Sequence, residues 1–275
     1  MTSLALRAVP AAPSILGELF ARQRTLARYG LALLALFGVA VLLQAIDPRT
    51  LESGVNVWVK PAKFLFSVAV YALTTAWFFG YVRPERRRSG LMRLVIGLIL
   101  IFGTFELAYI ALQAARGMES HFNVTTPFYI VMYALMGLAA VLLVASTLPL
   151  AWEIARRPAR GLRASFVAAI VLGLVLTFLL GGGLGGYMSS QIGHSVGAQG
   201  GHVPLFGWNR SGGDLRIAHF LGIHAQQAIP ILGALIAGFA ARARWGLLLG
   251  GTAAYTALTL AIFFQAVAGR PLLAL

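Results

Sequence analysis

Seven predominantly apolar stretches, each close to the roughly 20 residues that a helix needs to cross a hydrocarbon core, are separated by short polar connections. They run over 29–46, 57–81, 94–114, 127–152, 166–188, 217–240 and 245–268. A chain buried in lipid must satisfy its own backbone hydrogen bonds, so these stretches predict seven transmembrane helices in an all-α polytopic bundle. Ahead of them, Ile15, Leu16, Leu19 and Phe20 recur at helical spacing with Arg22 and Arg24 behind. That pattern predicts a short helix lying in the interface. Residues 1–28 then form a cytoplasmic or interfacial segment, 29–275 the membrane domain, and 189–216 a long outer loop. Residues 1–27 lack a long apolar core followed by a small-residue cleavage pattern, so they do not read as a removable signal peptide.

The connections fix a topology because Lys and Arg crowd alternate ones. Residues 7, 22, 24, 28, 83, 86, 87, 88, 93, 156, 157, 160, 163, 242 and 244 share one side, fifteen of 22. Arg49, Lys60, Lys63, Arg116, Arg210, Arg216 and Arg270 fall on the other. The positive-inside rule therefore puts the N-terminus in the cytoplasm and the C-terminus outside, in a cell membrane, the bacterial inner membrane being expected. Trp58 and Trp208 at the outer level and Trp77, Trp152 and Trp245 at the inner one form the matching aromatic belts.

Composition agrees with this class. Charged residues make up 11% against about 25% in soluble domains, apolar residues 59%, and the mean hydropathy is +0.82. Once divided by membrane side, the net charge of +14 indicates a lipid bilayer as partner and no nucleic acid. With no cysteine, disulfides, iron–sulfur clusters and thiolate metal sites are excluded. Gly181/Gly185, Gly182/Gly186 and Gly246/Gly250 are small residues one turn apart, which predicts close helix packing. The run 180–186 has no preceding strand and no following Lys, so it is not a phosphate-binding loop.

The candidate chemistry collects in the outer half of the bilayer. Glu106 lies about 12 Å in from the outer end of the third helix, with Gln113 two turns above it. A carboxyl at that depth costs about 2.5–3.5 kcal/mol, so it faces the bundle interior. Lys63 is its first candidate partner; it and Lys60 lie in the first turns of helix two beside Pro61, and snorkelling to the interface is the alternative for either lysine, more so for Lys60. Without a cation beside it, such a carboxyl holds a proton, as a carrier's does. His219, His224, Gln226 and Gln227 make a polar wall on helix six. Asp214 follows two glycines and precedes an apolar run, which reads as a helix N-cap, with Arg216 as its ion-pair partner or an anion's. The outer loop carries His194 and His202 among many glycines and can fold back as a lid. The stretch 113–127 gathers Arg116, Glu119, Ser120, His121 and Asn123, an entrance or a solvated turn.

Three functions fit these residues. The first is a redox or other cofactor protein in which His224, His219, His194 and His121 ligate haem b or a divalent metal, with Arg116, Arg216 and Lys60 near haem propionates. His219 and His224 lie about 140° apart on one helix, so a single ion needs a further ligand from elsewhere. The second is a transporter or proton-coupled carrier in which Glu106, Lys63, Gln113 and Gln227 line a path for a small molecule from the outer side. The third is a hydrolase whose zinc is held by His194, His219 and His224. A non-catalytic assembly subunit is the remaining reading. Retinal proteins need a Schiff-base lysine in the last helix, and the only lysines here are 60 and 63. Ser190, His194 and Asp214 superficially resemble the ceramidase and adiponectin-receptor zinc pattern, from which the spacing of His219 and His224 departs.

Overall fold

The computed structural model describes residues 14–51, 54–191, 193–201, 203 and 207–272; Arg7 and His202 lie outside them. The fold is an all-α bundle with one two-residue strand pair. The helices are α1 (Ile15–Arg22), α2 (Arg24–Ile46), α3 (Val59–Phe78), α4 (Gly90–Ala115), α5 (Pro127–Ala145), α6 (Thr147–Arg156), α7 (Ala164–Leu176), α8 (Gly183–Ser189), α9 (Leu215–Ile223), α10 (Ala225–Leu235) and α11 (Ala241–Val267). A π-helical segment, Thr177–Gly182, joins α7 to α8, and strands β1 (Ser195–Val196) and β2 (Gly213–Asp214) pair antiparallel in the outer loop. Six spans among the described residues are long and apolar enough to cross a membrane. A seventh forms if α9 and α10 count together, but this pair is bent by 52°.

Helix starts follow their capping chemistry. Ser14, Ser89, Thr126 and Asp214 each accept a first-turn backbone N–H, and Pro127 occupies the first helical position of α5. The C-terminus of α4 closes with Gly117 at φ +70°, Gly117 N–H donating to Ala114 O and Met118 N–H to Gln113 O.

Two groups of helices are held by small residues. In the first, α2 lies against an alanine face of α3, Ala62, Ala69, Ala72 and Ala76, all buried. Gly30 allows the approach: a Cβ there would sit 2.6 Å from Leu73 Cγ. In the second, α7, the π segment and α8 lie against α9 and α10. Side chains at Gly173, Gly181, Gly185 and Gly222 would all come within 3.0 Å of the facing helix. The expected packing of Gly181 and Gly185 is therefore present. That of Gly246 and Gly250 is not, for nothing lies within 4 Å of either, and Gly182 and Gly186 touch no other helix. Those glycines follow the one-turn spacing without facing a neighbour.

The connections fall on two faces. On one, Arg83 donates to Pro158 O and Arg163 to Ala237 O. Arg86 and Arg157 share Glu153, and Arg22 lies 3.9 Å over the Trp77 ring. This is the basic face. On the other, Arg49 donates to Ala115 O, and Trp58 donates its indole N–H to Asp47. The Arg49 guanidinium, with Trp58, holds the Asp47 carboxyl well below the usual carboxylate range.

Candidate intramembrane site

The sixth apolar stretch is not one straight helix. It breaks at His224, which caps α9 and precedes α10, and Pro230 inside α10 removes a further backbone donor. A break in lipid is tolerated where neighbours take up the freed backbone groups, and two do so here. Gln226 N–H donates to Thr177 Oγ1 at 2.8 Å, Thr177 itself donating to Gly173 O. Tyr255, from α11, donates its hydroxyl to Leu221 O at 2.6 Å. The π segment widens the opposing helix beside the break and turns Gly181 O toward His219 Nδ1, 2.9 Å away.

Across from the break stands α3. Lys63, Ser67, Val70 and Thr74 recur within about 60° on its surface and are all partly exposed. Along α9 and α10 a second stripe runs through Arg216, Phe220, His224 and Gln227, and its two ends reach α3, Arg216 lying within electrostatic reach of Lys63. The two stripes meet at the midplane end, where Gln227 Nε2 donates to Thr74 Oγ1 at 3.1 Å. Gln227 Oε1 lies 3.3 Å from His224 Nδ1, and the His224 ring packs on Phe220 with centroids 4.3 Å apart. The side chains of Gln226 Oε1 and Thr252 Oγ1 are buried without a hydrogen-bond partner among the described residues.

At the start of α9, on the face away from the basic one, Asp214 organises the loop. Its carboxylate accepts the backbone N–H of Arg216, capping α9, the backbone N–H of Asn209, and the Arg216 guanidinium. Burial opposes the charge, but these donors outweigh it and hold Asp214 below the usual carboxylate range. Arg216 also donates to Gly207 O, and Lys63 lies within electrostatic reach of both Arg216 and Asp214. The cap reading of Asp214 and its pairing with Arg216 are thus both present.

A second polar cluster lies on the adjoining face of α3, toward α4. Glu106 and Gln113 are two turns apart on one face of α4, 3% and 0% exposed. Gln113 Nε2 donates to Tyr109 at 3.0 Å, while Glu106 Oε1 and Gln113 Oε1 have no partner among the described residues. His121 closes this cluster from above. Its Nε2 is 4.0 Å from Glu106 Oε2, beyond hydrogen-bond reach, and its ring packs beside Phe64 and Tyr133. Burial, and then the charge of Lys60, push the His121 imidazole down to about 3, so it is neutral at ordinary pH.

Lys60 is the lysine within electrostatic reach of Glu106, along with Glu119 and Arg216. The expected Glu106–Lys63 pairing is corrected by the rotation of α3: Lys60 and Phe64 share the face toward α4, whereas Lys63 is turned toward the Asp214–Arg216 mouth. The polar residues thus form two clusters on adjoining faces of α3, Lys60 and Lys63 lying about 60° apart and both within electrostatic reach of Arg216.

Other candidates are more scattered. Arg116 is exposed at the end of α4. His194 lies in the loop beyond α8, its Nδ1 3.1 Å from Ser195 Oγ and its carbonyl accepting Leu215 N–H. Among the described residues no three His, Asp or Glu side chains are grouped to hold a metal ion. Sequence reasoning passed over Thr74, Thr177 and Tyr255. Their signal was present, as isolated hydroxyls in the middle of apolar runs, and Pro230 marked the break. Comparison with protein-family models, with curated proteins and with solved structures finds no match to this chain.

Proposed function

We propose that this protein is a proton-coupled carrier for a small organic anion, with the solute site in the groove between α3 and the broken span. The observation that carries this reading is the break itself. A helix interrupted near the midplane, opposite a π-helical segment and bridged by polar side chains from α3, the π segment and α11, is the kind of discontinuous helix at which membrane carriers place their solute sites. Lys63 and Arg216 at the mouth attract an anion, Phe220 offers an apolar wall, and His224 and Gln227 supply hydrogen bonds at the bottom. Glu106, with its unpartnered oxygen, is the proton site, beside the adjoining face of α3 that carries Lys60.

On the basic face the groove is closed by apolar packing. Phe78, Phe79, Val82, Ile154, Ile170 and Leu174 belong to one buried cluster there, and Tyr81 stacks edge-on against Phe166 at 5.4 Å. The arrangement is that of a carrier open toward the less basic side. By the positive-inside rule that side is external, with the N-terminus cytoplasmic and the C-terminus outside.

The test begins with melting of the purified protein against a panel of monocarboxylates and dicarboxylates. The stabilising anion is then followed into proteoliposomes under a pH gradient. Gln227→Leu and Thr74→Val are expected to reduce uptake by about tenfold or more, as the loss of about 1.4 kcal/mol of binding would. If no anion in the panel raises the melting temperature, or if both variants transport at the wild-type rate, the reading fails.

Imidazole ligation is a second reading, favoured by one observation. His219 donating Nδ1–H to Gly181 O keeps its Nε2 lone pair available, the tautomer that metal-bound histidines use. A Soret band in a reduced-minus-oxidised spectrum supports haem b, and stoichiometric metal by elemental analysis supports a metal site. Their absence removes both.

A further inference from the structure

We infer that the basic face carries a binding site for the phosphate of an anionic lipid, built between the connection that follows α3 and the one that follows α6. The two connections are zipped together. Val82 and Pro158 form a bridge, Arg83 N–H donates to Arg157 O at 3.3 Å, and Ala159 N–H donates to Tyr81 O at 2.7 Å. Between them lies a cleft of about 360 Å³ lined by Arg83, Pro84, Glu85, Arg87, Ala159 and Arg160.

What sets this cleft apart is how its arginines are held. Arg87 donates Nε to Val82 O at 3.1 Å and Nη2 to Gly80 O at 3.0 Å, and Arg83 donates Nε to Pro158 O. Arg160 makes no side-chain hydrogen bond or ion pair among the described residues. Backbone carbonyls orient the Arg83 and Arg87 guanidinium groups without neutralising them. Three positive charges therefore face one cleft against a single carboxylate, that of Glu85, and their remaining N–H donors suit the planar, bidentate recognition of phosphate oxygens.

The neighbouring cleft, about 300 Å³, provides the contrast. It is lined by Arg86, Leu91, Trp152, Glu153, Arg156 and Arg157. There Glu153 pairs with Arg86 and Arg157, and Arg156 stacks over Trp152 at 4.3 Å. Its charge is largely taken up within the protein.

Position selects the source of the phosphate. Trp77 and Tyr81 stand beside the first cleft, with the Arg22 guanidinium over the Trp77 ring, which is the level of an interfacial aromatic belt. A lipid whose chains lie against the bundle presents its headgroup at that level, and basic recesses between helices on this side of a membrane suit anionic headgroups. A soluble phosphate ester has the same chemistry but reaches the cleft from water alone.

The test uses the purified full-length protein in detergent, titrated with phosphatidylglycerol or phosphatidylcholine and read by native mass spectrometry. Phosphatidylglycerol is expected to bind at least tenfold more tightly than phosphatidylcholine. The double variant Arg83→Gln/Arg160→Gln is expected to lose on the order of tenfold to thirtyfold of that affinity. Arg242→Gln/Arg244→Gln, on the same face but away from the cleft, should stay within about twofold. Since Arg83 also ties the two connections together, Arg160→Gln alone is measured with it, and circular dichroism confirms that both variants keep their helix content. Equal binding of the two lipids, wild-type affinity in Arg160→Gln, or equal losses in the distant pair would each overturn the site. Complete displacement of phosphatidylglycerol by millimolar inorganic phosphate would overturn the lipid assignment in favour of a soluble phosphate ester.

Discussion

Gly222→Ala is the most direct test of how the broken span is built. A Cβ at this position meets Gly181 N at 2.6 Å and Leu180 C at 2.7 Å, both backbone atoms that cannot rotate away. Ordinary contact begins at 3.4 Å, so α9 and the π segment must part by about 0.8 Å. Overpacking of this kind costs about 1–3 kcal/mol. The same movement stretches the 2.9 Å His219–Gly181 contact beyond hydrogen-bond reach, at a further cost of about 1 kcal/mol. At roughly 2–4 °C per kcal/mol, melting in detergent should fall by about 4–16 °C. Gly186→Ala, with nothing within 4 Å, is the control. It removes a helix glycine without a clash and should melt no lower than the wild type. If Gly222→Ala and Gly186→Ala melt within about a degree of each other, the tight joint between α9 and the π segment is refuted.

Thr177→Val keeps the side-chain shape but leaves the buried Gln226 N–H unpaired, which should cost about 1–3 kcal/mol, with Thr177→Ser restoring most of it in the same melting assay. Glu106→Gln is expected to leave anion-induced stabilisation intact while abolishing uptake driven by a pH gradient; unchanged gradient-driven uptake would remove Glu106 as the proton site. His121 gives a signed pH dependence. Its folded-state value, about 3, lies below the 6.5 of the unfolded chain. Below pH 6.5 the unfolded chain binds a proton that the folded chain refuses. Stability should therefore be flat above that pH and decline by about 1.4 kcal/mol per unit toward pH 3, a slope that His121→Asn should flatten. Asp214→Ala removes both the α9 cap and the partner of Arg216; a loss of about 3–5 kcal/mol is expected from denaturant unfolding.

Where each apolar run begins and ends was legible because a bilayer imposes one length on every span. The span ends fall within a few residues of their expected places, and the short helix over Ile15–Arg22 is present. The cap at Asp214 was legible for a local reason: an N-cap depends only on the next two or three residues. Two things were not. The bend at His224 needs Thr177 and Tyr255, which are 49 and 34 residues away in sequence from the groups that they satisfy. The partner of Glu106 depended on the rotation of α3, which is set by its alanine face against α2 and not by its lysines. Placing residues by depth alone put Lys60, Lys63, Glu106 and His224 at one level and hence in one pocket. Depth gives height in the membrane but says nothing of which side of a helix a residue occupies.

The same packing explains why the groove is where movement costs least. Small residues bring α2 onto α3 on one side, and α7 with the π segment onto α9 and α10 on the other, so each half is held by close backbone approach over its length. Between the halves, the outer part of the seam is bridged chiefly by side chains such as Gln227 and Thr74, and hydrogen bonds between spans contribute only about 0.6 kcal/mol each on average. Toward the basic face the seam changes character, because Phe79, Val82, Ile170 and Leu174 bury one another there. Apolar packing at one end and a few weak polar contacts at the other are what a hinge in the proposed carrier would need. On the proposed carrier reading, rotation about the packed end would part Thr74 from Gln227, and α3, carrying Lys60 and Lys63 on adjoining faces, would move both polar clusters together. On that proposed reading, an anion bound in the groove and a proton on Glu106 would be coupled through α3 with no direct contact between them.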